Sequence, residues 1–155
     1  MVAYKAPENA SPQMQAFTAY INAVAAFDSE GVSANLDDEA FEFNLLPQAM
    51  AISKLKKQEF VAFLQATIFG WFINSDFSVI VHEIIEAGDA LTAHVQSDGV
   101  SKLGTPWNNE YILMLRFVPS KTPGELPKIG MYKEFLNSAF VRDFKTEEKK
   151  REAKE

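Results

Sequence analysis

The stretch Tyr111–Val118 is the strongest constraint on how this chain can fold. Side chains alternate across a strand, so a sheet with one wet face should alternate in polarity. Here Tyr111, Leu113, Leu115 and Phe117 point one way, and Ile112, Met114 and Val118 the other, interrupted only by Arg116. Val79, Val81 and Ile85 oppose Ile80, His82 and Ile84 in the same manner. Both faces of such a sheet ask to be covered. Helices from the first half of the chain can take one face. The other needs a partner, or the C-terminal segment Phe140–Phe144 folded back over it.

The helices are readable from spacing. Ser11-Pro12 is a helix start, with Ser as cap and Pro in the first turn. Met14, Phe17, Ile21, Val24 and Phe27 then recur at helical intervals, with Tyr20 at the edge of the stripe. The segment stops at Asp28-Ser29-Glu30-Gly31, where Gly31 ends or turns it, and a short helical turn follows. A second helix starts between Ser53 and Lys57, with Phe60, Phe63, Leu64, Thr67, Ile68 and Trp71 as its apolar positions. Asn74-Ser75-Asp76 reads as a break. Strands are expected at Phe41–Leu45, Phe77–Ile85, Leu91–Gln96, Tyr111–Val118 and Ile129–Ser138, with a hairpin turn at Gly88-Asp89. Helices followed by antiparallel strands make an α+β plan.

Composition removes several classes of function. A length of 155 residues suits one domain, and a hydrophobic content of 47% lets it bury a core. A net charge of −6 argues against a nucleic-acid partner. With no cysteine, disulfides, thiolate metal sites and cysteine nucleophiles are excluded. Phe occurs 13 times, and bulky aromatics both fill cores and line apolar cavities. Residues 1–10 read as a loose arm, 11–144 as the domain and 145–155 as a charged tail, either a solvated, frayed helix or a disordered end. No signal peptide or membrane span is visible, so a cytoplasmic location is expected.

In a hairpin centred on Gly88-Asp89, even-numbered residues oppose odd-numbered ones. His82 therefore shares a face with Leu91, Ala93 and Val95, and His94 with Val81 and Glu83. Histidines on opposite faces do not share a metal, so none is expected. A neutral imidazole at His82, among Ile80, Ile84, Ala93 and Val95, suits acid/base work near neutral pH. A hydrogen-bonded core histidine is the other reading. On the first strand, either Phe41 and Phe43 or Glu42 and Asn44 enter the interior. In the second case Glu42 is a candidate base. Trp71, Phe72 and Trp107 are candidates for the pocket rim, and Phe17, Phe69 and Phe135 for its lining.

The run from Ala16 to Pro47 joins a long helix bearing Tyr20, the acidic turn at Asp28, and a strand entered through Asp37-Asp38. It resembles the opening of the nuclear-transport-factor-two-like superfamily. That group includes SnoaL-like polyketide cyclases, ketosteroid isomerase and scytalone dehydratase. The resemblance spans residues 11–138. It implies a cone-shaped, curved antiparallel sheet wrapped by N-terminal helices around an apolar cavity, dimerising sheet to sheet. An ungapped alignment of Tyr20 through Asp28 puts Tyr20 on the isomerase's oxyanion-hole tyrosine. The same register puts Asn44 on its general-base aspartate, and Asn109 or Glu110 near its second oxyanion donor. Glu134-Phe135-Leu136-Asn137 is similar to the last strand of the cyclases, with Asn137 in place of an aspartate. His82 matches one of the dehydratase's two histidines, whereas Ala25 stands where that enzyme has an aspartate. The resemblance thus implies a cofactor-free isomerase, cyclase or dehydratase acting on a hydrophobic polyketide- or terpenoid-like molecule. His82 would be the acid/base, Tyr20 the oxyanion donor and Asn137 the positioning amide. Loss of two carboxylates to amides leaves a second reading open, a non-catalytic binding or dimerisation module of the same fold.

Overall fold

Capping chemistry sets the first helix. The computed structural model describes residues 4–154, and in it α1 (Pro12–Ala25) begins where Ser11 Oγ accepts the Met14 N–H at 2.9 Å. Phe17, Tyr20, Ile21 and Val24 form its buried stripe. Its end differs from the expected glycine stop. Phe27 itself takes a left-handed conformation (φ 56°), its N–H donating to Val24 O and the Asp28 N–H to Ala23 O at 2.9 Å. A bulky residue in that region is strained. Stacking of the Phe27 ring on Phe69, with centres 4.7 Å apart, offsets the strain. Asp28 then opens α2 (Ser29–Ala34) by accepting the Gly31 N–H. Gly31 lies inside this helix, where a Cβ would collide with the capping carboxylate.

The five strands are β1 (Glu42–Leu46), β2 (Phe72–Ala87), β3 (Ala90–Ser101), β4 (Pro106–Val118) and β5 (Lys128–Leu136). They form one sheet in the order β1-β5-β4-β3-β2. The sheet is mixed, because β1 runs parallel to β5 while the other neighbours are antiparallel. With α3 (Lys57–Ala66) and α4 (Ile68–Trp71) crossing between β1 and β2, the architecture is α+β. The expected break at Asn74-Ser75-Asp76 lies within β2, as an irregularity between the Phe72–Ser101 and Phe77–Gly99 pairs. There the Asn74 amide donates to Ala25 O, tying the sheet to the end of α1.

Two termini expected to be loose are held. The Asn22 amide exchanges a pair of hydrogen bonds with the Tyr4 backbone, at 2.8 and 2.9 Å, and the Tyr4 ring meets Phe17 edge-on. Residues 1–3 of the expected arm and Glu155 of the expected tail lie outside the described residues. Helix α5 (Ser138–Glu152) runs straight through the expected boundary at 144. Ser101 Oγ donates to Glu148 at 2.7 Å, and Arg151 donates to Leu103 O.

Helix α5 also decides which face the C-terminus covers. Phe144 packs on Trp71, Phe72 and Trp107, on the same side of the sheet as α1. It does not fold back over the second face. That face is open in the single chain: Ile80 is 42% and Phe135 51% exposed, and β4 alternates between buried and accessible residues. Among the described residues no helix is long and apolar enough to cross a membrane.

Candidate functional site

A cavity of about 90 Å³ lies between α1, α3 and the inner face of the sheet. Its wall is mostly apolar, with Phe43, Phe60, Phe63, Trp71, Trp107 and Leu113 contributing. Three tyrosines, Tyr20, Tyr111 and Tyr132, enter it together with Glu134, Ser97 and Asn109. Period-two alternation brings Tyr132, Glu134 and Leu136 of β5 to one side, next to Tyr111 and Leu113 of β4. A second cleft, between the turn Gln48–Met50 and α5, shares Met50, Val141 and Lys145 with the cavity and marks its mouth. The Lys145 ammonium sits 5.8 Å from the centre of the Trp71 ring.

The electrostatics centre on Glu134. Burial pushes its carboxyl up to about 7, against a partial lowering by the Tyr132 hydroxyl, which donates to Oε2 at 2.7 Å. A carboxyl so placed carries and releases a proton near neutral pH. Burial also raises the Tyr20, Tyr111 and Tyr132 phenols, so all three stay protonated donors. Tyr20 and Tyr132 meet edge to face with ring centres 5.8 Å apart. The Trp107 indole N–H donates to Ser97 Oγ at 2.9 Å, which holds both side chains in the wall. Asn109 Oδ1 is buried without a hydrogen-bond partner, so a ligand hydroxyl or N–H has an acceptor waiting.

Of the residues singled out from the sequence, Tyr20, Asn109, Trp71 and Trp107 line this cavity, while Phe72 packs behind Trp107 rather than at the rim. The others lie elsewhere, each for a physical reason. His82 is an exposed residue on the outer face, because a β-bulge between the Val81–Val95 and Glu83–His94 pairs breaks the parity rule used to place it. The same bulge puts His94 on His82's face, with ring centres 4.7 Å apart, rather than on the opposite one. Glu110 is also outside, 2.8 Å from His94 Nε2, and Asn109 is its inward neighbour. On β1 it is Phe43 and Leu45 that enter the cavity. Asn44 lies on the other side of the strand. Glu42 pairs there with Lys54 at 2.7 Å, and that hydrogen bond holds its carboxyl below the usual range, unsuited to a base. Phe135 points outward from β5, Phe69 stacks on Phe27, and Phe17 is packed solid under Tyr4.

Asn137 is exposed and caps α5, its Oδ1 accepting the Phe140 N–H at 3.2 Å. Asn137→Ala should therefore cost roughly 0.5–2 kcal/mol of stability, read as a lower urea midpoint. Asp37, part of the recognised acidic pair, is likewise structural: its Oδ1 accepts the Glu39 and Ala40 N–H groups in a turn leading to β1.

No protein-family model matches the sequence, and no curated protein matches it. Solved structures do match the fold. PrhC from Penicillium brasilianum aligns with a TM-score of 0.73 at 12% identity, over 86% of this chain and 85% of that one. BvnE pinacolase from Penicillium brevicompactum aligns with a TM-score of 0.72 at 16% identity, over 99% and 100%. A nuclear-transport-factor-two-like protein of unknown function from Burkholderia pseudomallei aligns with a TM-score of 0.69 at 16% identity, over 87% and 98%. Helices on one side of a mixed five-stranded sheet, closing a polar-studded apolar cavity, give this chain a nuclear-transport-factor-two-like fold.

Proposed function

We propose that this chain is a metal- and cofactor-independent acid–base enzyme acting on a small, mostly apolar carbonyl compound. Glu134 removes a proton beside the carbonyl and returns it at another carbon. The phenols of Tyr20 and Tyr111 receive the oxygen as it gains charge, and Tyr132 aims the carboxylate. The observation that carries this reading is Glu134: a lone carboxyl in an apolar cavity, pushed up to about 7 and surrounded by neutral phenols. Acid and base forms then coexist at neutral pH, as proton shuttling requires. The likeness of the fold to a solved structure named a pinacolase is compatible with an enzyme. A volume of about 90 Å³ favours a single ring or a short chain over a fused tetracycle. Asn109 and Ser97 would hold a second oxygen of the ligand.

A substrate-independent test uses a β,γ-unsaturated cyclohexenone. The protein should speed its conversion to the conjugated isomer, with deuterium incorporated in heavy water. Binding of the ketone without any exchange would instead support the non-catalytic reading.

The open outer face supports a homodimer as the working unit. Ile80 and Phe135, 42% and 51% exposed, lie on it with the half-buried Ile112 and Met114. Phe135→Glu should turn a dimer into a monomer in light scattering after size exclusion; a wild-type monomer at all concentrations would reject the assembly.

A further inference from the structure

On the face of the sheet opposite the cavity, the bulge at His82 gathers two imidazoles and a carboxylate. They come from three adjacent strands: His82 from β2, His94 from β3 and Glu110 from β4. The imidazole centres are 4.7 Å apart with the rings inclined by 36°. His94 Nε2 lies 2.8 Å from Glu110 Oε1, and His82 Nε2 lies 3.0 Å from Gln96 Oε1. One donor atom from each of the three residues can be chosen so that all lie within 4.8 Å of one another. Among the described residues no other trio of this kind occurs.

We infer that His82, His94 and Glu110 form a binding site for a divalent transition-metal ion of the zinc class. Two imidazole nitrogens and one carboxylate oxygen are the donor set that borderline ions such as Zn²⁺ accept, at about 2.0–2.2 Å each. The backbone of three paired strands fixes the origins of the side chains. In the single chain the side chains are accessible and can close on an ion by small rotations; in the proposed dimer the site lies at the seam, on the ladder rows of Ile80 and Ile112. His94 and Glu110 are already in contact, and the His82 ring has only to leave the Gln96 amide. The surroundings also favour a cation: Glu83 stands opposite His94 in the ladder, and Asp98 accepts two hydrogen bonds from Gln96. Three protein donors leave the remaining position to water, and imidazole ligation expels protons from the nitrogens used.

Nothing in this site depends on Glu134, because the two groups lie on opposite faces of the sheet. The test is calorimetric titration of the metal-stripped full chain with zinc chloride, repeated with cobalt(II) to follow its visible absorption. The expected result is one saturable ion per chain with micromolar affinity, and a cobalt spectrum typical of nitrogen and oxygen ligation. His82→Ala and Glu110→Gln should each weaken binding by at least the ~10–100-fold that loss of even an outer-shell partner costs. Circular dichroism checks that both variants remain folded, as expected for substitutions of exposed side chains. Absence of saturable binding to the wild type, or unchanged affinity in His82→Ala, would overturn the site.

Discussion

Glu134→Gln should reduce isomerisation of the cyclohexenone probe by about 10²–10⁴, the usual worth of a positioned acid–base group. The amide keeps the shape and still accepts from Tyr132, so the loss reports proton transfer rather than packing. In the wild type, kcat/KM should rise with pH through a single ionisation near 7 and then level off, because the carboxylate form is the base. Tyr20→Phe should lower the plateau without removing that ionisation. The same residue fixes a stability signature. Its folded-state value of about 7 lies above the ordinary 4.5, so the native state holds the proton more tightly than the unfolded chain. The favourable contribution of the neutral form is complete below about 4.5 and is lost as pH rises through 7. At pH 8 and above, Glu134→Gln should therefore be more stable than wild type, by up to about 3 kcal/mol. An inactive variant that is also destabilised at pH 8 would contradict the assignment.

Phe72→Ala should be the most damaging single core change. Phe72 is 1% exposed, and its ring packs on Phe77, Trp107 and Phe144 with centres 5.1, 5.5 and 5.9 Å away. It sits where α4 becomes β2, so it joins the sheet, the cavity wall and α5. Truncating a buried Phe costs about 3–5 kcal/mol through lost burial and a residual void. That is a large share of the 5–15 kcal/mol total typical of a domain. Urea unfolding should show the midpoint falling by that loss divided by the slope, with the slope unchanged. A loss under about 1 kcal/mol would mean the aromatic cluster repacks freely.

Much of the fold was legible because its signals are local. Ser11, Pro12 and the Phe17–Val24 stripe define α1 by capping and spacing alone, and Gly88-Asp89 defines the hairpin. Tyr20 was legible as an inward phenol for the same reason. What failed needed information that no local pattern carries. Parity counting from the hairpin placed His82 correctly only if the ladder stayed regular, and one extra residue at the bulge reversed the relation between His82 and His94. The parallel pairing of β1 with β5 depends on where the whole first half of the chain docks. Glu134 is not marked by the strand-end motif, whose polar residue, Asn137, instead caps α5. Its signal was present: Tyr132, Glu134 and Leu136 share one face, and a carboxylate between Tyr and Leu on a core-facing row is unusual enough to mark. The charged run after Lys145 left a frayed helix and a disordered end both open, because the apolar anchors of α5, Val141 and Phe144, lie before it.

The unpartnered Asn109 oxygen and the desolvated Glu134 carboxyl together make the interior less comfortable than an aliphatic one would be. Evolution toward greater robustness would thus run directly through the binding chamber, since Leu at 109 and Gln at 134 each relieve a local penalty. Homologues that abandoned the chemistry should be recognisable as unusually heat-tolerant proteins with greasier interiors.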